Sequence, residues 1–366
     1  MRAIMDAKEF SEALDKVSLV LKRAKIPVLN TVRLQFGGGK CVLTATDLDT
    51  WLTAEISAQG DSFECAFSRN KDAAKTCRYY DGALTLEVED SGEKNRRRRN
   101  ILLSCGPRAA EFEGLPPDEI FPDPPQAEGA AAFTVNAAGL LKRVNRVKYA
   151  LRSPGQGIDP VHTCVQFEKD RIFCVDGYRA ASDTDPALSI PKPCLMTATS
   201  LAYLKLFGNV EVSARFGKRH LEFSGEGLTL LCRLVDAVLF RFENAIPREF
   251  QEEFTVSPKE FLRELAYLRG LIPPRARSAI RFCGGDLSLE PRFGVCCTSV
   301  PLEGSSTVPF GFDPQYMTDA LKQFDGEERV KIKVSGQSSP LIIEAEGRGD
   351  YALVLPVHLK TNWAAA

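Results

Sequence analysis

The sequence predicts an α+β chain made of three tandem copies of one unit, each with antiparallel sheets and two helices. Three observations carry this. Short apolar runs alternate with polar residues and close on Gly or Asp-Gly, the pattern of antiparallel strands and hairpins. Only six stretches have helical spacing, too few for the strand–helix alternation of a parallel sheet. The helix openings also recur: Phe-Thr-Val and a capping residue stand at 133–136 and again at 254–257.

Composition sets the bounds. The chain has 366 residues, 44% hydrophobic and 26% charged, an ordinary soluble balance for two or three domains. No apolar run is long enough to cross a bilayer. The opening MRAIMDAKEF has charge where a signal peptide needs an apolar core, so the expected compartment is the cytoplasm, with no membrane partner. The 11 cysteines are scattered through apolar runs without a C-x-x-C pair. They read as buried free thiols, and neither a metal nor a cofactor is expected.

In order, residues 2–5 read as a strand, and Asp6 with Glu9 as a capping box for a helix over 7–25. Residues 26–36 read as a strand. Gly37, Gly38 and Gly39 read as a hairpin turn, since the phosphate-loop alternative needs Ser or Thr after Lys40 and a following helix. Ser68 opens a helix over 69–81, and two strands follow around a charged tip holding the arginines 96–99. That run reads as a solvated hairpin tip in preference to a nucleic-acid patch. The Pro- and acid-rich stretch from Gly114 to about residue 132 reads as a linker. The middle segment 159–182 reads as strand, turn, strand, then Asp176-Gly177 and a further strand. The last third opens on Ser257-Pro258 with Glu260, and Asp313-Pro314 caps its second helix.

Cap-to-cap spacings of 130 and 121 residues for the first helix of each copy, and of 129 and 116 for the second, indicate tandem domains at 1–126, 127–250 and 251–366. The six helical stretches sum to +9, leaving −10 elsewhere on a chain of net charge −1. Residues 136–152 are the most uneven, with Lys142, Arg143, Arg146, Lys148 and Arg152 and no acid. Cations gathered on helices on one side of a molecule attract phosphate without reading sequence. No Ser/His/Asp spacing, HExxH or Walker motif is present, so no catalytic residue is assigned. Asp47 and Asp49 form an acidic pair, read as strand-end turn chemistry since Asp47 and Asp176 stand at equivalent places.

IPVLNTVRLQF with LTATDLD, PVHTCVQF with CVDGYRAAS, and FGFDPQYMTDAL with SSPLIIEAEGRGDYALVLPVHL together resemble the bacterial DNA sliding clamp, the β subunit of the DNA polymerase III holoenzyme. The resemblance covers essentially the whole chain. It implies three similar domains per chain and a head-to-tail dimeric ring, with helices lining a central hole that passes duplex DNA. It implies a processivity factor with no catalysis of its own, working inside a DNA-directed DNA polymerase complex. Arg23, Lys142, Arg146, Lys148 and Arg152 would face DNA. A pocket for a short, largely apolar peptide would be lined by Val175, Gly177, Tyr178, Arg179, Ala180, Phe240, Ala245, Tyr316, Leu355, Pro356, Val357, His358 and Leu359. The expected partners are double-stranded DNA, a second copy of the chain, the polymerase III catalytic subunit, the clamp loader and repair proteins. Dimer contacts would join an edge around Ile101 and Leu103 to a helix end at Leu271 and Ile272.

In the expected pocket the chain departs from the family in two places. Tyr178-Arg179-Ala180 replaces a common His-Arg-Leu, and Leu355 and Val357 replace the usual methionines. The pocket therefore stays apolar and changes shape. Two other readings of the residues remain open at this point. One is a clamp-like DNA-binding module of a mobile element that does not close the standard ring. The other is an enzyme on a repeated α+β scaffold.

Overall fold

A computed structural model describes residues 1–67, 70–91, 98–116, 120–126 and 131–359, with the backbone alone at 91 and 98. The Ser68 cap, Arg96 and Arg97, part of the linker and the last seven residues lie outside the described residues.

One order of elements occurs three times. The first copy runs β1 (Arg2–Asp6), α1 (Ala7–Ser18), β2 (Val32–Gly37), β3 (Lys40–Thr46), β4 (Thr50–Gly60), β5 (Phe63–Phe67), α2 (Asn70–Cys77), β6 (Ala83–Ser91), β7 (Arg98–Cys105), β8 (Arg108–Gly114). The second runs β9 (Ala132–Asn136), α3 (Ala137–Val147), β10 (Cys164–Lys169), β11 (Arg171–Val175), β12 (Arg179–Thr184), β13 (Ile190–Thr197), α4 (Ala198–Leu201), β14 (Glu211–Phe216), β15 (His220–Gly225), β16 (Leu228–Arg233). The third runs β17 (Glu252–Val256), α5 (Pro258–Leu271), β18 (Ile280–Cys283), β19 (Asp286–Leu289), β20 (Cys297–Ser299), β21 (Leu302–Gly304), β22 (Phe310–Phe312), α6 (Pro314–Leu321), β23 (Val330–Val334), β24 (Leu341–Glu344), β25 (Asp350–Val354). Among the described residues all pairings are antiparallel, and β21 is the one strand without a counterpart.

The chain divides into two compact units, Met1–Leu141 with Thr199–Leu234, and Lys142–Ala198 with Val235–Ala366. In the first, the row β5-β2-β3-β4 continues into β16-β15-β14-β9, joined by Thr50–Cys232 and its neighbours. In the second, β13-β10-β11-β12 continues into β25-β24-β23-β17, joined through Arg179–Val354 to Asp183–Asp350. The same half-units meet in the same way, so each unit holds one junction between successive copies. Each half-sheet buries one face under its helices. In the second unit Phe254, Phe261, Phe282, Phe310 and Phe312 are fully buried and stack at 5.2–6.4 Å between ring centroids. Each such ring contributes about 2–3 kcal/mol by leaving water.

The helix starts form as expected. Asp6 Oδ1 accepts from the amides of Lys8 and Glu9, Asn136 Oδ1 from Gly139, and Asp313 Oδ1 from Gln315 and Tyr316. These bonds satisfy first-turn donors that the helix itself leaves open. Two helix ends come early. The first stops at Ser18 instead of residue 25, and α3 gives way to a 3-10 turn at Lys148–Ala150. The stretch expected as a strand from residue 26 begins as a 3-10 turn, Pro27–Asn30, because Pro27 favours N1 and Asn30 bonds both backbone groups of Ala24. Pro160–His162 makes the same turn before β10. Gly38 and Gly39, both at positive φ, close the β2–β3 hairpin.

Candidate functional site

The candidate pocket lies within the second unit and is built on one turn. Between β11 and β12, the buried Asp176 receives two backbone N–H bonds at 2.9 Å, from Tyr178 and Arg179. Its other oxygen takes Arg179 Nε at 2.8 Å. Gly177 supplies the left-handed residue, φ 87°, that brings the chain round. The turn thus aims Tyr178 outward, 52% exposed, and Arg179 inward.

Arg179 is fixed from several sides. Its Nη1 donates to Asp319 on α6 at 2.6 Å, and its guanidinium lies 4.7 Å from the Tyr316 ring centroid and 5.5 Å from that of Tyr149. Tyr178 stacks on Tyr316, centroids 6.0 Å apart and planes 21° apart. Arg152 lies over the Tyr178 ring at 5.2 Å. Burial, then the carboxylates of Asp176 and Asp313, push the Tyr316 phenol above its usual pKa. Burial does the same to Tyr149. Both phenols therefore stay neutral.

The C-terminal segment forms the next wall. Leu355 N donates to Tyr178 O at 2.9 Å, Val357 N donates to Gly311 O at 2.8 Å, and Pro356 bridges to Phe312. Gly311 permits this approach: a Cβ there would meet Val357 O and Leu359 Cδ2 at 2.6 Å. His358 and Val357 remain exposed, while Pro356 and Leu359 are half-buried. Val175, Ala180, Phe240, Ala245 and Leu355 join a small apolar cluster separate from the main core of the unit. The pocket residues expected from sequence thus divide into an apolar cluster, a tyrosine–arginine stack and a terminal strap. Phe242 and Phe173 complete the cluster, 5.0 Å apart and fully buried. The alternation Phe240-Arg241-Phe242 was the available signal for Phe242.

The basic residues differ in freedom. In α3, Leu140, Val144 and Val147 face the core, leaving Lys142, Asn145 and Lys148 on the exposed stripe. Arg146 Nη1 pairs with the buried Asp183 of β12 at 3.0 Å, and Arg143 bonds both Asp183 and Asp185. The five-to-zero charge count of that segment therefore overstates its free charge, because the neutralising acids come from a strand. Arg23 is exposed beside a cavity of about 350 Å³ in the first unit, which Lys22 and Lys71 also line. Arg99 is buried in a two-point bond to Asp90 and serves the hairpin.

The expected dimer residues differ in exposure. Ile101 and Leu103 have no exposed surface. They lie on β7, flanked by β6 and β8, and point into the core. Alternation puts every second residue inward. Leu271 is exposed and Ile272 half-buried at the end of α5. Asp47 Oδ1 accepts from the amides of Asp49 and Thr50, the turn chemistry read for it.

No protein-family model matches the chain. The chain is similar to the beta sliding clamp of Pseudomonas aeruginosa, 22% identical over 365 residues, 93% of this chain and 95% of that protein. It is 21% identical to the beta sliding clamp of Staphylococcus aureus over 363 residues, 94% of this chain and 95% of the relative. Among solved structures it superposes on the DNA polymerase III subunit beta of Pseudomonas aeruginosa with a TM-score of 0.84, at 18% identity over 98% of this chain and all of that one. The Bacillus subtilis DNA polymerase sliding clamp gives 0.82 at 19%, with the same coverage. A further Pseudomonas aeruginosa clamp, bound to griselimycin, gives 0.81 at 19%, again over 98% of this chain and all of that one. The chain has the clamp fold.

Proposed function

We propose that this chain is a DNA sliding clamp, a non-catalytic processivity subunit that encircles duplex DNA and tethers the replicative polymerase. The observation that carries this is the pair of unused edges. Within the chain, β4 joins β16 and β12 joins β25. By the order of elements, β20 is the third counterpart of β4 and β12, and β8 the third counterpart of β16 and β25. Among the described residues β20 pairs with β19 alone, and β8 pairs with β7 and meets β5 only at Gly114. An edge with open N–H and C=O groups pairs with another chain when the geometry repeats. Two copies joined head to tail through β8 and β20 close a ring of six domains, with boundaries near 1–126, 127–250 and 251–366. On this reading Leu271 and Ile272 flank the seam.

Arg23, Lys142, Lys148, Arg152 and the more tightly held Arg146 attract the phosphate backbone in a salt-dependent way without reading bases. The weak, screened hold is what permits sliding. The apolar cluster, the Tyr316 ring that Tyr178 covers and the strap 355–359 receive an apolar peptide from the polymerase, the clamp loader or repair proteins. This takes place in the cytoplasm, where the DNA is. No helix of the described residues is long and apolar enough to cross a membrane.

The test is retention after loading. The chain should survive a salt wash on circular DNA and slide off the same DNA once linearised. Equal loss from both, or a chain that stays monomeric at high concentration, would refute the ring.

A further inference from the structure

We propose that Arg152 couples the two surfaces of the second unit, so that phosphate drawn to Arg152 loosens the stack that closes the peptide pocket. This rests on the clamp reading above and adds a regulation of the same pocket.

The two arginines of the stack are held differently. Arg179 is tied by two carboxylates, Asp176 and Asp319. Arg152 pairs with no carboxylate among the described residues. Its backbone is fixed, Arg152 N donating to His162 O at 2.8 Å, so the side chain moves from a firm base. Its guanidinium lies 5.2 Å from the centre of the Tyr178 ring, and Nη2 is 3.6 Å from where a Cβ on Gly177 would stand. On the reading above it also stands with Lys142 and Lys148 among the cations offered to phosphate. Arg152 is therefore the detachable cation, and on the clamp reading it belongs to both sites.

Tyr178 occupies ring surface of Tyr316. A ligand that packs on that surface displaces it. A cation over an exposed ring holds it by about two- to fivefold in population. A charge-assisted bond to phosphate is a stronger use of the same guanidinium. Duplex DNA that takes Arg152 removes its share of the hold on Tyr178, and peptide binds more tightly by that factor. Linkage makes the effect reciprocal: bound peptide frees Arg152 and tightens duplex binding equally.

The test titrates a short fluorescent apolar peptide with the full chain, alone and with saturating short duplex, at one fixed salt. Wild type should bind the peptide about two- to fivefold more tightly with duplex. Arg152→Ala should show the tighter value in both conditions. Tyr178→Leu, which removes the ring under Arg152, should also lose the response, and it decides the matter if Arg152→Ala fails to fold. Peptide binding that ignores duplex in wild type overturns the coupling and leaves the pocket standing, as does a response that survives both variants. No peptide binding in either condition overturns the pocket and the coupling together.

Discussion

Leu48 and Gly177 stand at the same place in two copies of one turn, both left-handed, with φ 73° and 87°. In each, the preceding aspartate accepts from the amides two and three residues on. Only glycine adopts that conformation without cost; an L residue gives up about 1–2 kcal/mol there. Leu48 is also exposed, so little burial offsets the strain. Leu48→Asn, which tolerates the conformation and can bond locally, should stabilise the chain by about 0.5–1 kcal/mol. Gly177→Leu should destabilise it by about 1–2 kcal/mol. Urea midpoints of the two variants, moving in opposite directions, check this. Equal shifts of one sign would sink it.

Arg179 is a structural anchor as well as a proposed pocket residue. It joins Asp176 in the turn to Asp319 on α6, with only 11% of its own side chain exposed. Removing one partner of such a pair strands the other charge, at about 3 kcal/mol. Arg179→Ala should therefore lower the unfolding midpoint as well as weaken peptide binding. Asp176 keeps its two backbone donors, so the stranded charge is mainly Asp319. The double variant Arg179→Ala/Asp319→Ala should then be less destabilised than the sum of the singles by more than about 0.5 kcal/mol. Additive losses would show that the pair is not coupled.

Helix starts and turns were legible in the sequence because their chemistry is local. Asp6, Asn136, Ser257 and Asp313 each bond an amide within three residues. So was the threefold repeat, carried by those same positions. What was not legible depends on partners distant in the chain. Arg143 and Arg146 looked free because Asp183 lies 37 and more residues away. The burial of Ile101 and Leu103 was not legible either, because alternation does not say which strand follows in a sheet; β8 pairs along β7. The stacking of Tyr178 on Tyr316, 138 positions apart in sequence, could be placed in a pocket by resemblance only.

His220 gives the chain a pH dependence in the mildly acidic range. It packs edge-on against Trp51, centroids 5.4 Å apart. Burial, then the charges of Arg233 and Arg219, hold its pKa below the usual value of 6.5. The unfolded chain therefore takes up this proton at higher pH than the folded one. Stability contributed by neutral His220 is full above the unfolded pKa and is lost as pH falls from about 6.5 toward the lower folded value. His220→Phe keeps a ring against Trp51 and removes the proton. Thermal midpoints from about pH 7.5 to 5 should fall less steeply for the variant. Parallel slopes would remove His220 as the cause.

The proposed β8–β20 seam is testable with a native thiol. Cys297 on β20 is exposed. Burial raises the thiol pKa of Cys65, Cys77 and Cys194 to about 12, which leaves them almost without the reactive thiolate at neutral pH. Residues opposite each other on antiparallel strands have Cβ atoms about 4.5–5.5 Å apart, close enough for a disulfide after small adjustment. Cysteines placed singly at Arg108, Ala110 and Glu113 of β8 should therefore give a covalent dimer with Cys297 at one register under mild oxidation. Cys297→Ser should abolish it. The cross-linked product should be a closed pair held by two such bonds, since a head-to-tail dimer contains two seams. It should run as a dimer without reductant and as a monomer with it. Equal cross-linking from every β8 position would mean random collision. None from any position, in a sample shown by light scattering to be dimeric, would place the dimer contact elsewhere.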